Sequence, residues 1–189
     1  STLPPKPLPS AYVPLRSKRA AAVCALLKEE SVTVVGLKGL GGIGKSLLAA
    51  DIATQPDIVS EFRVFWLELG EDRTSSDALT RKLGYLLEQG LGYKVSQFAE
   101  LDDLQRSLAD QLVVLAAAGT RVLLVLDDVW TARQAEVFTK AVRPPHAVLV
   151  TTRNSANMVS STATVTLGML SPADARLVLT RHVGLAGIG

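Results

Sequence analysis

The chain has 189 residues, of which 48% are hydrophobic and 20% charged, a composition typical of one globular domain or one domain with a piece of another. Twenty basic and eighteen acidic side chains leave a net charge of +2, which gives no reason to expect nucleic acid or an anionic membrane as a partner. The single cysteine, Cys24, excludes an intrachain disulfide and a cysteine zinc site, and no apolar run approaches the ~20 residues that a membrane span needs.

The first eleven residues contain four prolines and predict an extended linker (1–11) that arrives from an upstream domain. Apolar residues at helical spacing then predict a helix over Ser17–Glu30, and a β-branched run predicts a strand over Val32–Leu37. The missing initiator methionine and the ending at residues 184–189 predict a fragment of a longer protein, with 184–189 as the truncated start of a following helical domain.

The segment Gly39-Leu40-Gly41-Gly42-Ile43-Gly44-Lys45-Ser46, called the phosphate loop below, fits the pattern G-x-x-x-x-G-K-[ST]. Its glycines let successive backbone N–H groups face one anion, and the helix that follows adds a partial positive charge. Lys45 can reach the β- and γ-phosphates of a nucleotide, and the Ser46 hydroxyl can bind Mg²⁺. The predicted nucleotide contacts are Gly39, Gly41, Gly42, Ile43, Gly44, Lys45, Ser46 and Leu47.

The helix after this loop is predicted to run to about Gln55, where Pro56 breaks it. The later elements are predicted as a strand over Arg63–Leu69, a helix that ends near Gly90, a helix from Leu101 that Gly119 stops, a strand over Val122–Leu126, a helix over Ala132–Val142, strands over Ala147–Thr152 and Thr162–Leu167, and a last helix that Ser171 caps and that runs to about His182. Strands that alternate with helices predict an α/β fold with a parallel sheet.

Two aspartates follow the apolar strand Val122–Leu126, at the end where a metal would face the phosphates. Asp127 is predicted to hold Mg²⁺, and Asp128 to orient or deprotonate an attacking water. This interpretation expects their strand to lie next to the strand that feeds the phosphate loop. The alternative is that the two aspartates only cap the loop into Trp130.

Arg153 follows the next apolar strand at the same end of the predicted sheet. Because a planar guanidinium binds phosphate oxygens in pairs, Arg153 is predicted to sense a γ-phosphate and to act in catalysis, the alternative being a surface arginine. Trp66 and Trp130 are predicted as core or interface aromatics. His146 and His182 are assigned no chemistry.

Six segments together resemble the NB-ARC nucleotide-binding domains, which are signal-transducing (STAND) ATPases of apoptotic protease-activating factor and plant disease-resistance proteins. The segments are Tyr12–Arg16, Gly39–Ser46, Phe65–Leu67, Leu124–Trp130, Leu149–Arg153 and Leu167–Ala175. The resemblance implies a P-loop NTPase fold over 12–183, a three-layer sandwich with a central parallel sheet. It also implies adenine contacts at Val13 and Arg16, and an ADP-sensing histidine in domains beyond Gly189.

The resemblance implies a cytoplasmic regulatory switch that binds ADP when off and ATP with Mg²⁺ when on. Exchange of ADP for ATP would drive self-association with other NB-ARC domains of the full-length protein, in apoptosis-like or defence signalling, and slow Mg²⁺-dependent hydrolysis would reset it. Two other classes stay open: a P-loop metabolic enzyme with a second substrate, and a STAND-type transcription regulator. Neither a membrane partner nor direct contact of this domain with nucleic acid is expected.

Overall fold

Helices and strands alternate along the chain in the computed structural model, which describes residues 3–10, 12–154, 156 and 162–183. The strands are β1 (Val34–Lys38), β2 (Phe62–Glu68), β3 (Arg121–Val129), β4 (Ala147–Thr152) and β5 (Thr162–Thr166). The helices are α1 (Ser17–Lys28), α2 (Lys45–Thr54), α3 (Pro56–Glu61), α4 (Ser76–Tyr85), α5 (Leu101–Ala117), α6 (Ala132–Thr139) and α7 (Pro172–Val183). The predicted start of a helical domain at 184–189 lies outside the described residues, as do positions 1, 2 and 11 of the predicted linker.

The five strands form one parallel sheet in the order β2-β3-β4-β1-β5, which confirms the predicted α/β fold with a central parallel sheet. The expectation that β3 lies next to β1 is wrong, because β4 pairs with both of them. Apolar character on both faces places β3 and β4 inside a sheet but does not give their lateral order. The strand that ends before Arg153 therefore lies between the strand that feeds the phosphate loop and the strand that carries the two aspartates.

Residues of β1, β2, β3 and β4 contribute to two separate cores, since side chains alternate between the faces of a sheet. In β2, Phe65 and Leu67 pack with residues of α4, α5 and α6, whereas Trp66 packs with residues of α1, α2 and α3. The sheet therefore lies between two helical layers, as the predicted three-layer sandwich requires. Trp66 is a core residue, as expected.

Proline and serine set two of the helix boundaries that the sequence predicts. α2 ends at Thr54, close to the predicted end, but Pro56 also begins α3, because proline is tolerated in the first turn of a helix. α7 begins at Pro172 as predicted, and the Ser171 hydroxyl accepts a hydrogen bond from the Asp174 N–H at 3.1 Å. The helix predicted to stop near Gly90 is α4 followed by a π-helical turn that ends at that glycine.

The proline-rich segment over residues 3–10 contains no helix or strand and lies beside β2, the edge strand of the sheet. Leu3 is buried, and its carbonyl oxygen accepts a hydrogen bond from the Trp66 N–H at 3.0 Å. This contact covers part of a strand edge that would otherwise present an unpaired N–H group.

Candidate nucleotide site

The phosphate loop connects the end of β1 to the first turn of α2, and two of its glycines have positive φ. Gly42 has a φ of 73° and Gly44 a φ of 93°, a conformation in which glycine avoids the strain that a side chain would create. Gly44 precedes the first helical residue, and no side chain caps that end of α2. The first N–H groups of the helix are therefore available to an anion rather than to a capping side chain.

Neighbouring atoms also approach two further glycines of the loop closely. A Cβ on Gly39 would lie 2.8 Å from the backbone oxygen of Leu167, and a Cβ on Gly41 would lie 3.3 Å from Nη1 of Arg153. The first contact is with rigid backbone and the second with a mobile side chain. Gly39 therefore fixes the loop against the segment after β5, and Gly41 leaves space for Arg153.

The Lys45 side chain is 7% exposed and lies inside the loop. Its Nζ donates hydrogen bonds to the carbonyl oxygens of Gly39 at 2.9 Å and Leu40 at 2.8 Å. Burial lowers the pKa of this ammonium group, and the nearby positive charge of Arg153 lowers it further. Both effects favour the binding of a negatively charged ligand, which would stabilise the buried charge.

Asp127 and Asp128 lie in a β-bulge, where two residues of β3 stand opposite the single residue Thr151 of β4. The Thr151 hydroxyl donates to Asp127 Oδ1 at 2.6 Å and accepts from the Asp128 backbone N–H at 2.9 Å. Asp128 has a φ of 56°, the left-handed conformation that aspartate tolerates better than most residues. Both carboxylates raise the pKa of Lys45, so the bulge brings the two acids to the phosphate loop.

Arg153 lies next to the loop and stacks on an aromatic ring. Its guanidinium carbon is 4.5 Å from the centroid of the Trp130 ring, and its Nε is 4.0 Å from Asp128 Oδ1. The indole Nε1–H donates to Asp128 Oδ2 at 3.0 Å. Trp130, predicted only as a core or interface residue, thus contacts both residues that were predicted to act in catalysis.

A pocket of about 190 Å³ opens beside the loop and is lined mainly by apolar side chains. Its walls include the predicted contacts Val13, Arg16, Gly42, Ile43, Gly44 and Leu47, together with Tyr12, Leu170 and Val178, which are not among the predicted contacts. Such a pocket next to a phosphate site suits a flat aromatic ring such as a purine, whose faces can pack against apolar side chains.

Arg16 joins the walls of this pocket through the backbone. Its Nη2 donates to the carbonyl oxygens of Ile43 at 3.2 Å and Gly168 at 2.9 Å. Burial lowers the pKa of the Arg16 guanidinium. Burial and then a hydrogen bond to Asp51 raise the pKa of the Tyr12 phenol, so Tyr12 stays neutral.

The residues predicted to hold Mg²⁺ supply hard oxygen atoms of the kind this ion prefers, namely the Ser46 hydroxyl and the Asp127 carboxylate. The described residues contain no group of three or more histidine, cysteine or acidic side chains arranged for a metal. Mg²⁺ usually keeps several waters and shares phosphate oxygens with its substrate, so two protein ligands suffice. The donor set fits Mg²⁺ bound together with a nucleotide.

Gln134 is a fully buried residue behind the site that sequence reasoning missed. Its Oε1 accepts from the backbone N–H groups of Trp130 at 2.8 Å and Thr131 at 2.9 Å. Its Nε2 donates to the carbonyl oxygens of Gly70 at 2.8 Å and Arg73 at 3.0 Å. The only indication in the sequence is its place three residues after Thr131, the spacing of a capping box at the start of α6.

His146, to which the sequence assigns no chemistry, connects two elements through its ring. Its Nδ1 accepts from the Val122 backbone N–H at 3.0 Å, and its Nε2 lies 2.7 Å from the carbonyl oxygen of Leu112. Burial lowers the pKa of this imidazole, so the neutral ring joins α5 to β3.

Comparison with known proteins gives a family and a set of relatives. A family model described as NB-ARC domain matches residues 17–186. The probable disease resistance proteins RF45 and RDL5 of Arabidopsis thaliana are each 30% identical over 149 residues, which cover 77% of this chain. The chain spans 14% of the length of each of these curated relatives.

Solved structures with the same fold include proteins of Pyrococcus horikoshii and Aeropyrum pernix. A STAND protein with a tetratricopeptide repeat sensor from Pyrococcus horikoshii aligns with a TM-score of 0.56 and 16% identity, over 97% of this chain and 27% of that chain. The ORC2 protein of Aeropyrum pernix, in ADPNP–ADP complexes, aligns with a TM-score of 0.68 and 15% identity, over 95% and 54%. None of the described helices has both the length and the apolar character for crossing a membrane.

Proposed function

This chain belongs to the NB-ARC family, and we propose that it is a regulatory nucleotide switch that binds ADP in its resting state and ATP with Mg²⁺ in its active state. The observation that carries the proposal is the buried ammonium of Lys45, which lies in a glycine loop close to Arg153, Asp127 and Asp128. A buried cation surrounded by free helix N–H groups and a second cation suits the phosphates of a nucleotide.

The difference between ADP and ATP would be read by Arg153 and Asp128. A ligand shifts a conformational equilibrium only if it interacts differently with the two states. Lys45 can reach the β-phosphate, which ADP and ATP share, as well as the γ-phosphate. Arg153 lies outside the loop, where only the additional phosphate of ATP would meet it. The γ-phosphate is therefore the proposed signal.

The proposed domain organisation is a linker over 1–11, a nucleotide-binding domain over 12–183 and, at 184–189, the truncated start of a following helical domain. The names of the relatives support a role in defence signalling of a longer protein. The same proposal includes an apoptosis-like role and self-association of the active full-length protein. It also places that protein in the cytoplasm. Light scattering of the full-length protein with ADP and with a non-hydrolysable ATP analogue tests the self-association.

Nucleotide binding is tested by calorimetry on the chain and on Lys45→Ala. A hydrogen bond to a charged group contributes about 1.5–3 kcal/mol, so we expect this variant to weaken ATP and ADP binding roughly 10- to 150-fold. Lys140→Ala is the matched control, because Lys140 is 68% exposed and pairs only with Glu136 among the described residues. Unchanged affinity in a folded Lys45→Ala variant would contradict the phosphate-loop assignment.

Hydrolysis by this chain is expected to be slow. The Asp128 carboxylate, which would have to position or deprotonate water, is already hydrogen-bonded by the Trp130 indole. Phosphate release at saturating ATP and Mg²⁺ measures the rate, and Asp128→Asn should remove any residual activity. Turnover near the ~10 s⁻¹ of metabolic enzymes would instead favour a P-loop enzyme with a second substrate.

A further inference from the structure

Trp130 contacts both residues that are proposed to meet the γ-phosphate. Its ring lies 4.5 Å from the guanidinium carbon of Arg153, and its Nε1–H donates to Asp128 Oδ2 at 3.0 Å. Its own backbone N–H is held by the buried Gln134 at 2.8 Å. Gln134 thus fixes the backbone of Trp130, while the indole contacts Arg153 and Asp128.

We expect the ring to contribute at least as much to the position of Arg153 as the nearby carboxylate does. The Arg153–Asp128 ion pair is 4.0 Å long, and the arginine side chain is 52% exposed, so solvent weakens this pair strongly. A guanidinium within about 6 Å of an aromatic centroid is attracted to the ring, and tryptophan is the most favourable ring. We therefore expect the stacking on Trp130 to determine where Arg153 lies.

The stacked position places the guanidinium beside the phosphate loop. Nη1 of Arg153 lies 3.3 Å from the point that a Cβ on Gly41 would occupy. We propose that Trp130 is the positioning residue of the γ-phosphate site: its ring holds the Arg153 guanidinium where the guanidinium meets the γ-phosphate of ATP, and the stack persists when ATP binds. This inference rests on the proposed function, because it needs a chain that binds both nucleotides.

The first test is the preference for the non-hydrolysable ATP analogue adenylyl imidodiphosphate over ADP, measured by calorimetry with Mg²⁺. Trp130→Leu should reduce this preference about tenfold, as much as Arg153→Ala does, and the double variant should lose no more than either single one. Trp130→Phe keeps a ring for the guanidinium and should retain most of the preference. Trp66→Phe, a change in the core, is the control and should leave the preference unaltered.

The second test uses the fluorescence of Trp130, which is the sole indole left in a Trp66→Phe chain. Its emission should change when the analogue binds, stay constant when ADP binds, and lose the response when Arg153→Ala is added. This measurement does not require Trp130 to be replaced, so it remains valid if Trp130→Leu fails to fold.

Three results would overturn the inference: an unchanged preference in Trp130→Leu, additive losses in the double variant, or an equal emission change with both nucleotides. A merely structural tryptophan would weaken both affinities together and leave their ratio constant. The proposed function fails in a different way, since the unaltered chain would then bind neither nucleotide.

Discussion

The hydroxyl of Thr151 serves both aspartates of the β3 bulge, and the substitution Thr151→Val removes this hydroxyl while keeping the shape of the side chain. The side chain is fully buried, so valine brings no new contact with water. After the substitution, Asp127 Oδ1 loses its donor and the Asp128 N–H loses its acceptor. We expect the free energy of unfolding to decrease.

The size of the decrease follows from these two hydrogen bonds. A bond to a charged group contributes about 1.5–3 kcal/mol, and a buried N–H without an acceptor costs about 1–3 kcal/mol. Because the Asp128 side chain is 35% exposed, water can replace part of the second bond. We therefore expect a loss in the lower half of the combined range, about 2.5–4 kcal/mol.

Thr139→Val is the matched control. Thr139 is also buried, but its Oγ1 is the one buried side-chain polar atom of the described residues without a hydrogen-bond partner. Replacing that hydroxyl by a methyl group should leave the stability unchanged or increase it, because no bond is lost. Urea unfolding of the nucleotide-free chain measures both variants. A loss below about 1 kcal/mol in Thr151→Val, or equal losses in the two variants, would refute the reasoning.

Three further outcomes are expected. Asp127→Ala should weaken ATP binding more in the presence of Mg²⁺ than in EDTA, by calorimetry; equal losses would mean that Asp127 acts in folding. Because burial lowers the pKa of His146, its contribution to stability is complete above about pH 6.5 and decreases as the pH falls below that value, since the unfolded chain is protonated first. His146→Gln keeps a donor and an acceptor without titrating, so urea unfolding between pH 5 and 7, spanning the imidazole range, should show a smaller pH dependence than the unaltered chain. Gly44→Ala should lower the thermal midpoint through backbone strain of about 1–2 kcal/mol, because alanine disfavours the positive φ of this residue. A Cβ there would meet no atom within 4 Å, so steric contact adds nothing to this loss. An unchanged midpoint would contradict the positive φ.

The sequence predicts most of the elements because their boundaries depend on local chemistry. Pro172 after a capping serine begins α7, and the G-x-x-x-x-G-K-[ST] pattern places the loop between β1 and α2. The order of the strands does not depend on local chemistry, since a strand that is apolar on both faces fits any interior position. This is why β4, between β1 and β3, was not anticipated.

In the candidate site, too, residues that a local motif specifies are predictable from the sequence, whereas contacts that depend on strand pairing are not. Lys45 is recognisable because a motif requires it, but Thr151 looks like an ordinary β-branched residue of a strand, and only the register with β3 shows its two contacts. Asp127 and Asp128 were interpreted as the end of a strand, whereas β3 continues through the bulge to Val129. Leu170 joins Val13 in the wall of one pocket from the far end of the chain, and no local pattern contains that information.

The strand order also has a consequence for the synthesis of the protein. A ribosome releases β1 early, but both of its neighbours come from the last third of the chain: Val34 pairs with Val148 in β4 and with Thr162 in β5. Until those segments emerge, β1 has two unpaired edges, the kind of surface that chaperones protect. A chain interrupted before residue 147 is therefore expected to aggregate or stay chaperone-bound, rather than to bind nucleotide weakly.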